Sequence, residues 1–108
     1  MSNALLDTDW QKVSLGKQLL SRIIERENVE IESIFEILNN QEVARDERLP
    51  DTGVSKEWER ALSPMFIEME HYATRCSSVI LWDYSDNITF AERTYGLELS
   101  NTVVFELN

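Results

Sequence analysis

Four consecutive apolar residues, Val79-Ile80-Leu81-Trp82, sit within a β-branched and aromatic stretch running from Ser78 to Asp83. That composition predicts a strand, and successive side chains of a strand point to opposite faces of its sheet. Both faces of this strand are therefore expected to be covered. Tyr84-Ser85-Asp86-Asn87 follows with turn chemistry, Asn87 being the residue expected to tolerate a positive φ. Ile88 to Ala91 predicts the returning strand of a hairpin. After a break over Gly96 to Asn101, Thr102 to Leu107 alternates, placing Val103, Phe105 and Leu107 on one face.

The first half carries helical periodicity. Thr8 or Asp7 is the expected cap of a segment with Trp10, Val13, Leu20, Ile23 and Ile24 on one face. Gly16 falls on that face, and a helical glycine costs roughly 1 kcal/mol relative to alanine. Close approach of another backbone is the expected compensation. Asn28 interrupts, and Ile31, Ile34, Phe35 and Leu38 then follow the i, i+3, i+4, i+7 pattern until Asn39-Asn40. Residues 41–54, with Pro50 and Gly53, predict a surface loop. Ser55 caps a short helix holding Trp58, Ala61 and Leu62, which Pro64 terminates. Met65-Phe66-Ile67 is expected to be extended and partly buried.

The expected architecture is α+β: about three N-terminal helices followed by a three-stranded antiparallel sheet. Residues 1–108 make one domain, 1–63 mainly helical and 74–108 mainly strand, because 108 residues cannot supply two independent cores. Helices can cover one face of such a sheet, but the other needs a partner layer. In a chain this short that layer points to a source outside it, in a longer protein or a second copy.

Charge narrows the partners. Twenty Asp and Glu against ten Lys and Arg give a net charge of −10, of which −8 lies in residues 25–70. Such a surface repels phosphate backbones, so a nucleic-acid partner is not expected. The apolar run falls far short of the ~20 residues a membrane-spanning helix requires. One cysteine, Cys76, permits no internal disulfide, and with one histidine it provides no Cys/His zinc set. A cytoplasmic location, no metal and no cofactor are expected. Met65, Met69, His71 and Cys76 are side-chain types used in haem ligation, but they are also ordinary packing residues and their spacing does not select haem.

Two segments resemble the NRDE family, also called transport and Golgi organisation protein 2 homologues. The first is Ser2-Asn3-Ala4-Leu5-Leu6-Asp7-Thr8 with Trp10, Lys12 and Gly16-Lys17. The second is Tyr72-Ala73-Thr74-Arg75-Cys76-Ser77-Ser78, continuing through Val79 to Asp83, Ile88-Thr89-Phe90 and Glu92-Arg93. Ala73 departs from the family's glycine. The family's opening Met-Cys and its Asn-Arg-Asp-Glu motif are not in this chain, so the resemblance implies the C-terminal portion of a protein more than twice as long. It further implies half of an αββα sandwich like that of N-terminal-nucleophile (Ntn) hydrolases, in which a terminal cysteine attacks an amide. Asn3 would then donate to the oxyanion and Arg75 would flank the nucleophile, both only in the full-length protein. This chain alone, without the nucleophile, is expected to have no activity. The partner is expected to be the N-terminal half or, as a homodimer, a second copy. The same resemblance also implies an alternative parent, a non-catalytic haem or lipid/acyl-CoA handling protein, with His71 and Cys76 as candidate haem ligands.

Overall fold

In a computed structural model, residues 5–6, 8–96 and 101–107 are described. Three helices precede three strands: α1 (Gln11–Ile24), α2 (Ile31–Leu38), α3 (Lys56–Leu62), β1 (Cys76–Trp82), β2 (Ile88–Thr94) and β3 (Asn101–Leu107), with a 3-10 turn at Asp46–Arg48. The expected α+β order is present. The sheet is an antiparallel meander in the order β1-β2-β3.

The core forms where α2 crosses the sheet. Phe35 is fully buried against Val79 of β1 and Ala91 of β2, with Ile31, Ile34, Leu38 and Leu81 packed around them. Val79 and Ala91 are direct cross-strand partners, and the small Ala91 leaves room for the phenyl ring. Arg93, two positions along the same strand face, lays its guanidinium 4.2 Å from the centre of the Phe35 ring. It also donates to both carboxylate oxygens of Glu32 on α2, at 3.0 and 2.8 Å, and to Thr102 Oγ1 on β3 at 2.8 Å. One side chain thus joins α2, β2 and β3. The guanidinium holds the Glu32 carboxyl below its ordinary pKa, through their hydrogen bonds first. α1 lies against α2, burying Ile23 and Ile37.

The loop segments are tied down by polar contacts. Buried Ser63 accepts from the Ala44 amide at 2.9 Å and donates to the Arg60 carbonyl at 2.7 Å. Phe66 donates its amide to the Asn40 carbonyl at 2.9 Å, and its ring meets Tyr95 edge-on at 4.9 Å. The Tyr95 hydroxyl donates to Asn39 Oδ1 at 2.8 Å, so the end of β2 holds the end of α2. Met65, Phe66 and Ile67 are half-buried as expected, but Met65 and Phe66 lie in a bend rather than an extended segment.

Several local expectations need correction. The position before α1 is Trp10, with no side-chain cap; Thr8 instead accepts the Trp10 amide through its carbonyl, and Asp7 lies outside the described residues. On α1 only Gly16 and Ile23 are buried, while Leu20 and Ile24 are exposed, because α2 meets a narrower stripe than the periodicity spans. On α3 the buried residue is Glu59, not Trp58: the Glu59 carboxylate turns inward to accept the Thr52 amide and hydroxyl, at 2.8 and 2.6 Å. At the hairpin, Asp86 rather than Asn87 takes the positive φ of 61°. Asn87 is held by Asp83, which accepts its amide and its side-chain N–H as well as the Ser85 amide. Ser55 does cap α3, accepting the Trp58 amide at 3.3 Å.

Two outcomes follow. Phe35→Ala removes the ring on which α2 and the sheet converge; chemical denaturation should show a loss of about 3–5 kcal/mol. The second concerns Asp46, which accepts from Arg60 Nε and Nη2 at 2.8 and 2.6 Å and ties the 3-10 turn to α3. These bonds lower its carboxyl from 3.8 to about 2. A depressed carboxyl gives stability that is present above its unfolded value and lost as pH falls through the folded one. Carboxyl NMR should therefore place the Asp46 midpoint near pH 2, and Arg60→Gln should return it toward 3.8.

Candidate functional site

Alternation along β1 decides what the sheet offers. Ser77 and Val79 are buried and Leu81 half-buried beneath the helices, while Cys76, Ser78, Ile80 and Trp82 are exposed on the other side. Cross-strand pairing carries that division through the sheet. Ile80 stands opposite Phe90, which stands opposite Phe105; Trp82 stands opposite Ile88, which stands opposite Leu107. Two apolar rows therefore share the face away from α2, and Val103 extends them opposite Glu92. Ile80, Trp82, Phe105 and Leu107 are 65, 70, 61 and 66% exposed. The expectation that β1 is covered on both faces thus fails within this chain, because every helix that reaches the sheet lies on one side. Contiguous apolar surface of this kind makes the face a candidate site.

Arg75 immediately precedes β1, at the end of the sheet where β2 finishes. Its carbonyl accepts the Tyr95 amide at 2.8 Å, which fixes the backbone, and its side chain is exposed. Among the described residues no carboxylate pairs with it. Asn3 lies outside the described residues.

His71 and Cys76 fall in different settings. Residues 67–74 make a small hairpin: Glu68 bridges Ala73, the Met69 amide donates to the Tyr72 carbonyl at 3.0 Å, and the Thr74 amide donates to the Ile67 carbonyl at 2.7 Å. His71 stands in its turn with an 89% exposed side chain, 3.9 Å from the equally exposed Glu70. Cys76 is a free, exposed thiol at the first position of β1. Among the described residues no group of three or more His, Cys, Asp or Glu converges as a metal site.

A cleft of about 860 Å³ at the outer edge of β1 escaped the sequence reading. It lies between that strand, the start of α1, α3 and the hairpin carrying His71, and Cys76 is in its wall whereas His71 is not. One signal for it was legible. Lys12 falls four residues before Gly16 and eleven before Ile23, on the stripe that α1 buries.

An antiparallel sheet with α2 packed across one face, α1 backing α2, and apolar rows bare on the other face defines this chain as an α+β sheet layer. It belongs to the family described as Transport and Golgi organisation 2, whose model matches residues 1–96 and which is the NRDE family of the resemblance. Similar proteins include the human Transport and Golgi organization protein 2 homolog, 34% identical over 106 residues, and its bovine counterpart at 31%. The mouse Transport and Golgi organization 2 homolog is 30% identical. Each comparison covers 87% of this chain but 37% of the relative, so the chain spans little more than a third of their length.

The two faces of β1 should respond differently to truncation. Val79→Ala, on the covered face, should cost about 2 kcal/mol in urea unfolding. Its exposed neighbour gives the contrast: at concentrations low enough to keep the chain monomeric, Ile80→Thr should change the same measurement by less than about 0.5 kcal/mol.

Proposed function

We propose that this chain has no activity of its own and supplies one sheet layer of a two-sheet sandwich. The second layer comes from the remainder of a family member. In the isolated chain, a second copy takes its place. The paired rows Ile80-Phe90-Phe105 and Trp82-Ile88-Leu107, bare on the face opposite α2, carry this reading. Fully burying side chains of this size is worth about 1.5–3 kcal/mol each, a drive sufficient to hold two layers together.

The whole protein is, on this proposal, an Ntn amidohydrolase. A terminal cysteine thiol adds its sulfur to the substrate's amide carbon while that cysteine's own α-amine takes the thiol proton. The carbonyl oxygen becomes an oxyanion, to which Asn3 donates. Collapse expels the amine, which receives the proton, and water then cleaves the thioester. Arg75 flanks the nucleophile and offsets negative charge there. Its position supports this role: exposed, without an ion-pair partner among the described residues, at the end of the sheet where β1 begins.

Two measurements test the proposal. Light scattering of the isolated chain should show concentration-dependent dimers that Trp82→Glu reduces to the 12.6 kDa monomer. A monomer at every concentration would remove self-association. In the full-length protein, Arg75→Ala should lower kcat for amide hydrolysis by at least about tenfold, on the order of 1.4 kcal/mol in the barrier. An unchanged rate would remove Arg75 from the reaction.

A further inference from the structure

The cleft at the outer edge of β1 has no part in the sandwich proposal. Its volume of about 860 Å³ lies within the range of small-molecule sites. Trp10, Leu38, Met65, Ile67 and Tyr72 give it apolar and aromatic walls. Three charged side chains also line it: Lys12, Arg48 and Glu59. The lining is therefore net positive by one charge, in a chain whose net charge is −10.

These charges are not equally occupied. The Glu59 carboxylate holds Thr52 through two hydrogen bonds, and Arg48 lies 3.5 Å from Asp9 at the exposed rim. Lys12 differs. Its ammonium donates to the Leu62 carbonyl at 3.0 Å and lies 5.8 Å from the centre of the Trp10 ring. Among the described residues no carboxylate lies within 4 Å of it, although the chain has twice as many acids as bases. Arg60, Arg93, Arg48 and Lys56 all have such partners. Burial lowers the Lys12 pKa, as expected for an ammonium that has lost water without gaining a counter-charge. One N–H is used on Leu62, leaving two donors of the ammonium for a ligand.

We propose that this cleft binds a small organic monocarboxylate, with its charge on Lys12 Nζ and its apolar body against Trp10 and Tyr72. Monoanions are preferred because Glu59 stands in the same wall, where a second negative charge would be repelled. Arg48 at the rim adds attraction on approach.

Amide NMR on the chain, titrated with naphthoate, tests the site. Naphthamide serves as the neutral isostere and naphthalene dicarboxylate as the dianion. Saturable shifts are expected at the Trp10 indole and at amides around Lys12 and Tyr72, with naphthamide and the dianion each at least tenfold weaker. Lys12→Met should weaken naphthoate at least tenfold, whereas Lys12→Arg should keep its affinity within a few-fold. Equal affinity for naphthoate and naphthamide on the unmutated chain would overturn the proposal, whether or not Lys12→Met folds. So would shifts confined to Ile80 and Trp82, or no saturable shift at millimolar naphthoate. These outcomes are independent of whether the bare sheet face dimerises or Arg75 acts in hydrolysis.

Discussion

The molecule is organised around one ring. Phe35 is the side chain at which α2, β1 and β2 meet, and the guanidinium of Arg93 closes over it while reaching Glu32 and Thr102. An apolar plug capped by a bidentate ion pair fixes both the distance and the rotation of the helix against the sheet. α2 is only eight residues long, too short to persist as a helix alone. Its stability derives from this contact, and with it the direction in which α1 can pack. The helical layer is thereby committed to one side of the sheet.

That commitment explains why the opposite side is apolar and bare. A sheet whose two faces are both rich in large apolar side chains is a middle layer by composition. β3 illustrates the point, since Val103, Phe105 and Leu107 all lie exposed on that face. The family's longer members have length to spare for another layer, this chain matching 37% of the human relative.

Much of the fold was legible because it rests on short-range periodicity. The α2 spacing from Ile31 to Leu38 and the alternation of Val103, Phe105 and Leu107 need only neighbours in sequence. What escaped was set by partners distant in the chain. Thr52 draws Glu59 inward across a loop, and Lys12 meets Leu62 fifty positions away. The hairpin error was different in kind: Asp86 and Asn87 both tolerate a positive φ, and the choice fell to Asp83, whose carboxylate claims Asn87. Arg75 directly precedes β1, and nothing local could reveal that it has no ion-pair partner among the described residues. The cleft needed α1, α3 and β1 together before it existed at all.

The Asp83 turn has a further consequence. Side chains along a strand change sides at every step, so shortening or lengthening that loop by one residue would slide β1 past β2 and exchange its two surfaces. Ile80 and Trp82 would face the helices, and Ser77 with Val79 would turn outward. Three hydrogen bonds to a single carboxylate thus hold the turn that sets which apolar row of this protein meets solvent.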